Sequence, residues 1–102
     1  MLALLEQHAE SIRALCQRFG VQRLEVFGSA ARAEFVSGKS DIDLLVAFDP
    51  QSKVSPADQY LGLLTELEAL LQVKVDLIDI RAARNPYFIA SALKQRELLY
   101  AA

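Results

Sequence analysis

The chain has 102 residues, enough for one domain expected to span 1–102, and its 53% apolar and 24% charged residues with only 3 prolines exclude a disordered polypeptide. A formal net charge of −2 lacks the basic excess of proteins that grip a phosphate backbone, so nucleic acid is not the expected main partner. Cys16 is the single cysteine and cannot form an internal disulfide, MLALLEQHAE has no basic n-region of a signal peptide, and no apolar run nears the ~20 residues that span a bilayer; no membrane association and a cytoplasmic location are expected.

Leu2, Leu5, Ala9, Ile12, Cys16 and Phe19 recur at steps of three and four, which predicts one helix with a single apolar stripe, ended by Gly20. His8 falls off that stripe and has no cysteine or second histidine nearby, so it is not read as a metal ligand. RLEVF at 23–27 alternates as a strand and stops at Gly28-Ser29, after which Ser29 can cap a short helix through AARAEF. DIDLLVAF at 41–48 reads as a second strand closed by Asp49-Pro50.

Ser55 followed by Pro56 is an N-cap with proline at the first helical position, and Asp58 stands where a capping-box partner would. Tyr60, Leu63, Leu64, Leu67, Leu70 and Leu71 then mark the buried side of that helix. VKVDLIDI at 73–80 predicts a third strand, Asn85-Pro86 opens a last helix with Ile89, Ala92 and Leu93 on its stripe, and ELLY at 97–100 predicts a short final strand. The fold class is therefore α/β in the broad sense (α+β), a small mixed sheet with flanking helices.

Strand side chains alternate faces, so Asp41 and Asp43 are expected to point the same way from the start of the second strand. Paired carboxylates repel unless a cation lies between them, and all-oxygen ligands suit a hard ion such as Mg²⁺. If the first two strands are antiparallel neighbours, the Gly28-Ser29 turn lies at the same sheet edge as the Asp pair, and a helical crossover to a parallel third strand brings Asp76 there too. Gly28 lets an anion approach the backbone closely, and a helix N-terminus beyond it offers free N–H groups. Phosphate binding beside a carboxylate set is the layout of in-line phosphoryl or nucleotidyl transfer assisted by two metal ions, with Asp76 orienting or deprotonating the attacking hydroxyl. Arg32, Lys39, Arg81 and Arg84 are the cations available to neutralise phosphate.

FGSAAR at 27–32, SDIDLLV at 40–46 and VDLI at 75–78 together resemble the minimal nucleotidyltransferases of the DNA polymerase β superfamily, and NPY at 85–87 and the ELLY ending extend the resemblance over nearly the whole chain. It implies a polymerase β-like nucleotidyltransferase fold, with Gly28 and Ser29 on the triphosphate, Arg32 and Ser40 also on the nucleotide side, Asp41 and Asp43 on two Mg²⁺ ions, and Asp76 completing the site. It also implies ATP as donor of AMP and, as partner, a HEPN-domain toxin carrying the acceptor tyrosine, so that the chain acts as antitoxin in a hetero-oligomer. Two features depart from the family pattern: Ala33 stands where glycine commonly follows the arginine, and eleven residues rather than ten separate Gly28-Ser29 from Asp41.

AEFVSGKS at 33–40 satisfies a loose P-loop pattern, but a P-loop follows a strand and opens a helix, whereas here a helix is expected before Gly38-Lys39-Ser40 and a strand after it. An EF-hand reading of Asp41 and Asp43 fails because Leu44, Leu45 and Val46 occupy calcium-ligand and glycine positions. The stronger alternative is a non-catalytic antitoxin or regulatory binding module of the same fold that neutralises its partner by complex formation alone. Arg81 through Tyr100, with Pro86, Tyr87 and Phe88, is the segment expected to dock a partner.

Overall fold

The computed structural model describes residues 3–28, 41–81 and 96–102. Within them the elements follow in the order α1 (Ala3–Gln7), α2 (Ala9–Arg18), β1 (Val21–Phe27), β2 (Ile42–Phe48), α3 (Pro56–Leu71), β3 (Val75–Asp79) and β4 (Arg96–Ala101). The short helix expected after Ser29 and the helix expected after Asn85-Pro86 lie outside the described residues.

The N-terminal stripe is divided between two helices. His8 adopts φ −107° and ψ 17°, and its carbonyl accepts the Ile12 N–H at 2.9 Å, which opens α2 as a separate helix. Leu5, Ile12, Cys16 and Phe19 are buried as their spacing predicts, while Ala9 is exposed. Cys16 is fully enclosed, and burial pushes its thiol up to about 12, so it is an inert core residue.

Ser55 caps α3 by accepting the Asp58 N–H at 3.3 Å, with proline at the first helical position. The helix buries Leu63, Leu67 and Leu71 and half-buries Tyr60, Leu64 and Leu70. It also buries Gln59, which the apolar spacing does not predict. This side chain donates to the carbonyl oxygens of Gly20 and Asp49, joining α3 to the turn before β1 and the end of β2.

Gly62 on the same helix faces Phe19, where an added Cβ would run into the ring. An exposed helical Gly→Ala change gains about 1 kcal/mol of propensity, but overpacking costs about 1–3 kcal/mol. Gly62→Ala is therefore expected to lower the urea midpoint, and a raised midpoint would show that the ring yields freely.

The four strands form one mixed sheet in the order β3-β2-β1-β4. β1 runs antiparallel to β2 and to β4, while β2 and β3, joined by the α3 crossover, are parallel. Leu24, Val26, Leu44, Val46, Val75 and Leu77 project from one face into a core closed by the helices. The opposite face carries a smaller cluster of Phe27 and Leu45 with Ile78 and Ile80 packed against it. Among the described residues no helix is long and apolar enough to cross a membrane.

Candidate active site

Register decides what meets at the sheet edge. Asp43 is directly opposite Phe27 on β1 and Asp76 on β3, and Phe27 is in turn opposite Arg96 on β4. One row therefore crosses all four strands as Asp76, Asp43, Phe27, Arg96. Val26, Leu44 and Leu77, each adjacent in sequence to a member of that row, are in the helix-covered core, so the row itself belongs to the other face.

Asp41 stands just before β2 and is exposed, as is Asp76, whereas Asp43 is half-buried. Burial pushes the Asp43 carboxyl above the usual carboxylate range, and the negative charges of Asp76 and then Asp41 push it the same way. The three carboxylates thus share one electrostatic field. Among the described residues no three histidine, cysteine, aspartate or glutamate side chains are drawn together as a closed metal cluster. Like charges on neighbouring strands repel, and Asp41 and Asp76 keep contact with water.

Gly28 follows β1 in a left-handed conformation, φ 68°, beside Asp43. A Cβ built there would stand 2.6 Å from Asp43 Oδ2, so the backbone can lie against the carboxylate only because residue 28 has no side chain. Gly28, Asp43 and Asp76 are in this way brought together, with Asp41 at the same edge. Ser29, Arg32 and Ser40, together with Lys39 and Arg84, lie outside the described residues. Arg81 is at the opposite end of β3, where its Nε and Nη2 donate to Asp79 at 3.3 and 3.2 Å, so it is not a cation of this site.

Glu25 and its two arginines form a buried ion group that no sequence motif marks. Glu25 is on the same face of the sheet, two residues inward from Phe27 and only 7% exposed, and it accepts from Arg23 Nε at 3.0 Å and Arg96 Nη1 at 3.3 Å. Alternation in RLEVF places Arg23 and Glu25 on one face, but Arg96 could be added only once β4 was known to pair with β1. Of the expected docking segment, Arg81 and residues 96–100 are described. Leu98 is exposed, while Leu99 and Tyr100 pack against the core.

This mixed sheet, with a glycine turn and staggered aspartates at one edge, is the architecture of a nucleotide-transferring enzyme. Residues 10–102 match the family described as polymerase beta, nucleotidyltransferase, and the chain belongs to that family. A relative from Methanocaldococcus jannaschii, named as a candidate protein adenylyltransferase, is 35% identical over 97 residues, covering 95% of this chain and 90% of its own. A solved structure of a candidate minimal nucleotidyltransferase superposes with a TM-score of 0.76 at 34% identity, covering 95% of each chain. A chain in the complex of a tri-AMPylated Shewanella oneidensis HEPN toxin with an MNT antitoxin superposes with a TM-score of 0.66, covering 96% of this chain and 73% of that one; at 21% identity the likeness concerns the fold alone.

Proposed function

We propose that this chain is a Mg²⁺-dependent protein adenylyltransferase that moves AMP from ATP onto a tyrosine of a HEPN-family toxin and thereby acts as its antitoxin. The observation that carries the reading is the register that sets Asp76 beside Asp43 and the Gly28 backbone against the Asp43 carboxylate. The names of the Methanocaldococcus relative and of the Shewanella complex support the donor and the partner class. The whole chain works as one nucleotidyltransferase domain, in the cytoplasm, within a hetero-oligomer.

The donor set suits Mg²⁺: it is all carboxylate oxygen, and Asp43 is the group whose ionised form a cation would favour. Asp41 and Asp43 would hold two ions, with Asp76 completing the set; bound there, Mg²⁺ supplies charge neutralisation at the phosphates and at the attacking and leaving oxygens. Gly28 leaves room for the triphosphate at the backbone, joined by Ser29, Arg32 and Ser40 as the family resemblance implies. Asp76 accepts the proton of the acceptor hydroxyl. That oxygen bonds to the α-phosphorus, the bond from phosphorus to the bridging oxygen breaks, and pyrophosphate leaves with the electron pair.

The test is intact mass of a HEPN-domain partner from the same genome after incubation with the chain, ATP and Mg²⁺. The expected result is addition of one or more AMP groups on tyrosine, absent when Asp43 is replaced by asparagine. A stable complex with no modification at saturating ATP and Mg²⁺ would overturn turnover in favour of neutralisation by binding alone.

A further inference from the structure

Asp43 and Asp76 are neighbours in the sheet but are not held alike. Asp43 is on β2, which has β1 on one side and β3 on the other, so its strand is bonded on both flanks. Asp76 is on β3, an outer strand among the described residues, and none of those residues donates a hydrogen bond to its exposed carboxylate. The position of that carboxylate is therefore set by the position of the strand. A strand bonded on one flank only is a poor mount for a group that must meet a hydroxyl, since an error of about 1 Å can cost about a hundredfold in rate.

The other flank of β3 is fastened by α3. The Ile42 N–H donates to the Lys74 carbonyl at 3.0 Å and the Ile80 N–H to the Val46 carbonyl at 2.9 Å, so the backbone of residues 74 and 80 is turned toward β2. Backbone polar groups alternate in direction along a strand, so those of Asp76 also face β2, while those of Val75 and Leu77 face outward. Each of these two residues is met by a side chain of α3. The Tyr60 hydroxyl donates to the Leu77 carbonyl at 2.6 Å, and the Glu68 carboxylate accepts the Val75 N–H at 3.0 Å. On the adenylyl-transfer reading above, on which this inference rests, we propose that Tyr60 and Glu68 are positioning residues for Asp76, holding β3 where the Asp76 carboxylate meets the acceptor hydroxyl.

The two bonds bracket Asp76, one residue before it and one after. One grips an N–H and the other a carbonyl, so together they oppose both lifting and sliding of the strand, where a single tether would leave a pivot. Sliding matters most, because a slip of one residue would turn every β3 side chain to the other face and carry Asp76 into the core. The grips themselves are firm. Tyr60 packs its half-buried ring against the core, which fixes the aim of its hydroxyl, and Leu77 is buried, so its carbonyl left unpaired would be costly. The bond from Val75 to Glu68 is charge-assisted and stronger than one between neutral groups. The helix whose crossover makes β3 parallel to β2 thus also holds its register.

The test compares Tyr60→Phe, which keeps the ring and removes the hydroxyl, with Ser55→Ala, which removes the α3 cap and neither bond to β3. Both should lower the melting temperature. Only Tyr60→Phe is expected to slow AMP transfer to the HEPN-domain partner, about tenfold at saturating ATP and at a temperature where both variants stay folded. Its affinity for AMP-PNP with Mg²⁺ should be unchanged, because Gly28, Asp41 and Asp43 are left in place. Amide exchange should quicken about tenfold at Val75 and Asp76 and not in β1, a local loosening that a general loss of stability would not give. Glu68→Ala should repeat the pattern, and Glu68→Gln, which keeps an acceptor oxygen, should restore most of the rate. Should Tyr60→Phe not fold, this pair decides, and a wild-type rate in Glu68→Ala overturns the proposal. Wild-type transfer by folded Tyr60→Phe, or equal slowing in Ser55→Ala, overturns it and leaves the transferase reading intact. No transfer by the wild-type chain overturns that reading, and this inference with it.

Discussion

Replacing Asp43 with asparagine is expected to cut AMP transfer about a thousandfold or more, because a metal ligand at the reacting phosphate contributes several kcal/mol to the transition state. The same change should raise the melting temperature of the metal-free protein at neutral pH. Burial, then the charges of Asp76 and Asp41, raise the folded-state pKa of Asp43 above its unfolded value. The stability this group contributes is complete below the unfolded pKa and is lost as pH rises through the folded one. At neutral pH the wild-type protein has therefore lost it, whereas asparagine cannot ionise. The gain in melting temperature should shrink as pH falls into the ordinary carboxylate range, and Mg²⁺ should stabilise the wild type far more than the variant. Wild-type transfer by the variant, or a melting temperature below wild type at pH 7 without metal, would remove Asp43 from the centre of the site.

Gly28→Ala should separate backbone strain from damage to the site. A left-handed conformation costs an L-residue about 1–2 kcal/mol, so the variant should lose roughly that much stability. Activity should fall much further than this suggests. The new methyl group, 2.6 Å from Asp43 Oδ2, meets the far end of a side chain that can swing away, and swinging away removes it from its working position. A double-mutant cycle distinguishes the two effects: in the Asp43→Asn background the stability loss should persist, while little transfer remains for Gly28→Ala to remove. Loss of activity in the single variant no greater than its loss of folded protein would show that the glycine serves the turn alone.

Element types were legible along the chain, and the reasons are local. Ser55-Pro56 marked the start of α3, the leucine spacing marked its buried side, and alternation in residues 23–27, 41–48 and 73–80 marked three strands that β1, β2 and β3 reproduce to within two residues at either end. The gathering of Gly28, Asp43 and Asp76 was legible on the condition that the first two strands are antiparallel neighbours, which β1 and β2 meet, because a helical crossover then favours a parallel third strand. The break at His8 was not, since Leu5 and Ile12 keep helical spacing on either side of it. The burial of Gln59 was not legible either, since it rests on hydrogen bonds to carbonyl groups 39 and 10 residues away, which leave no periodic trace.

By itself, then, the sequence determined the alternation that places Asp43 opposite the core, the glycine that can adopt φ 68°, and the carboxylate set with its taste for a hard cation. Only the tertiary structure decided which strand lies at the outer side of β1. That choice is made by backbone hydrogen bonds between distant segments, which carry no side-chain signature. It brings Arg96 onto Glu25 across 71 residues of chain and onto the strand row that carries Asp43.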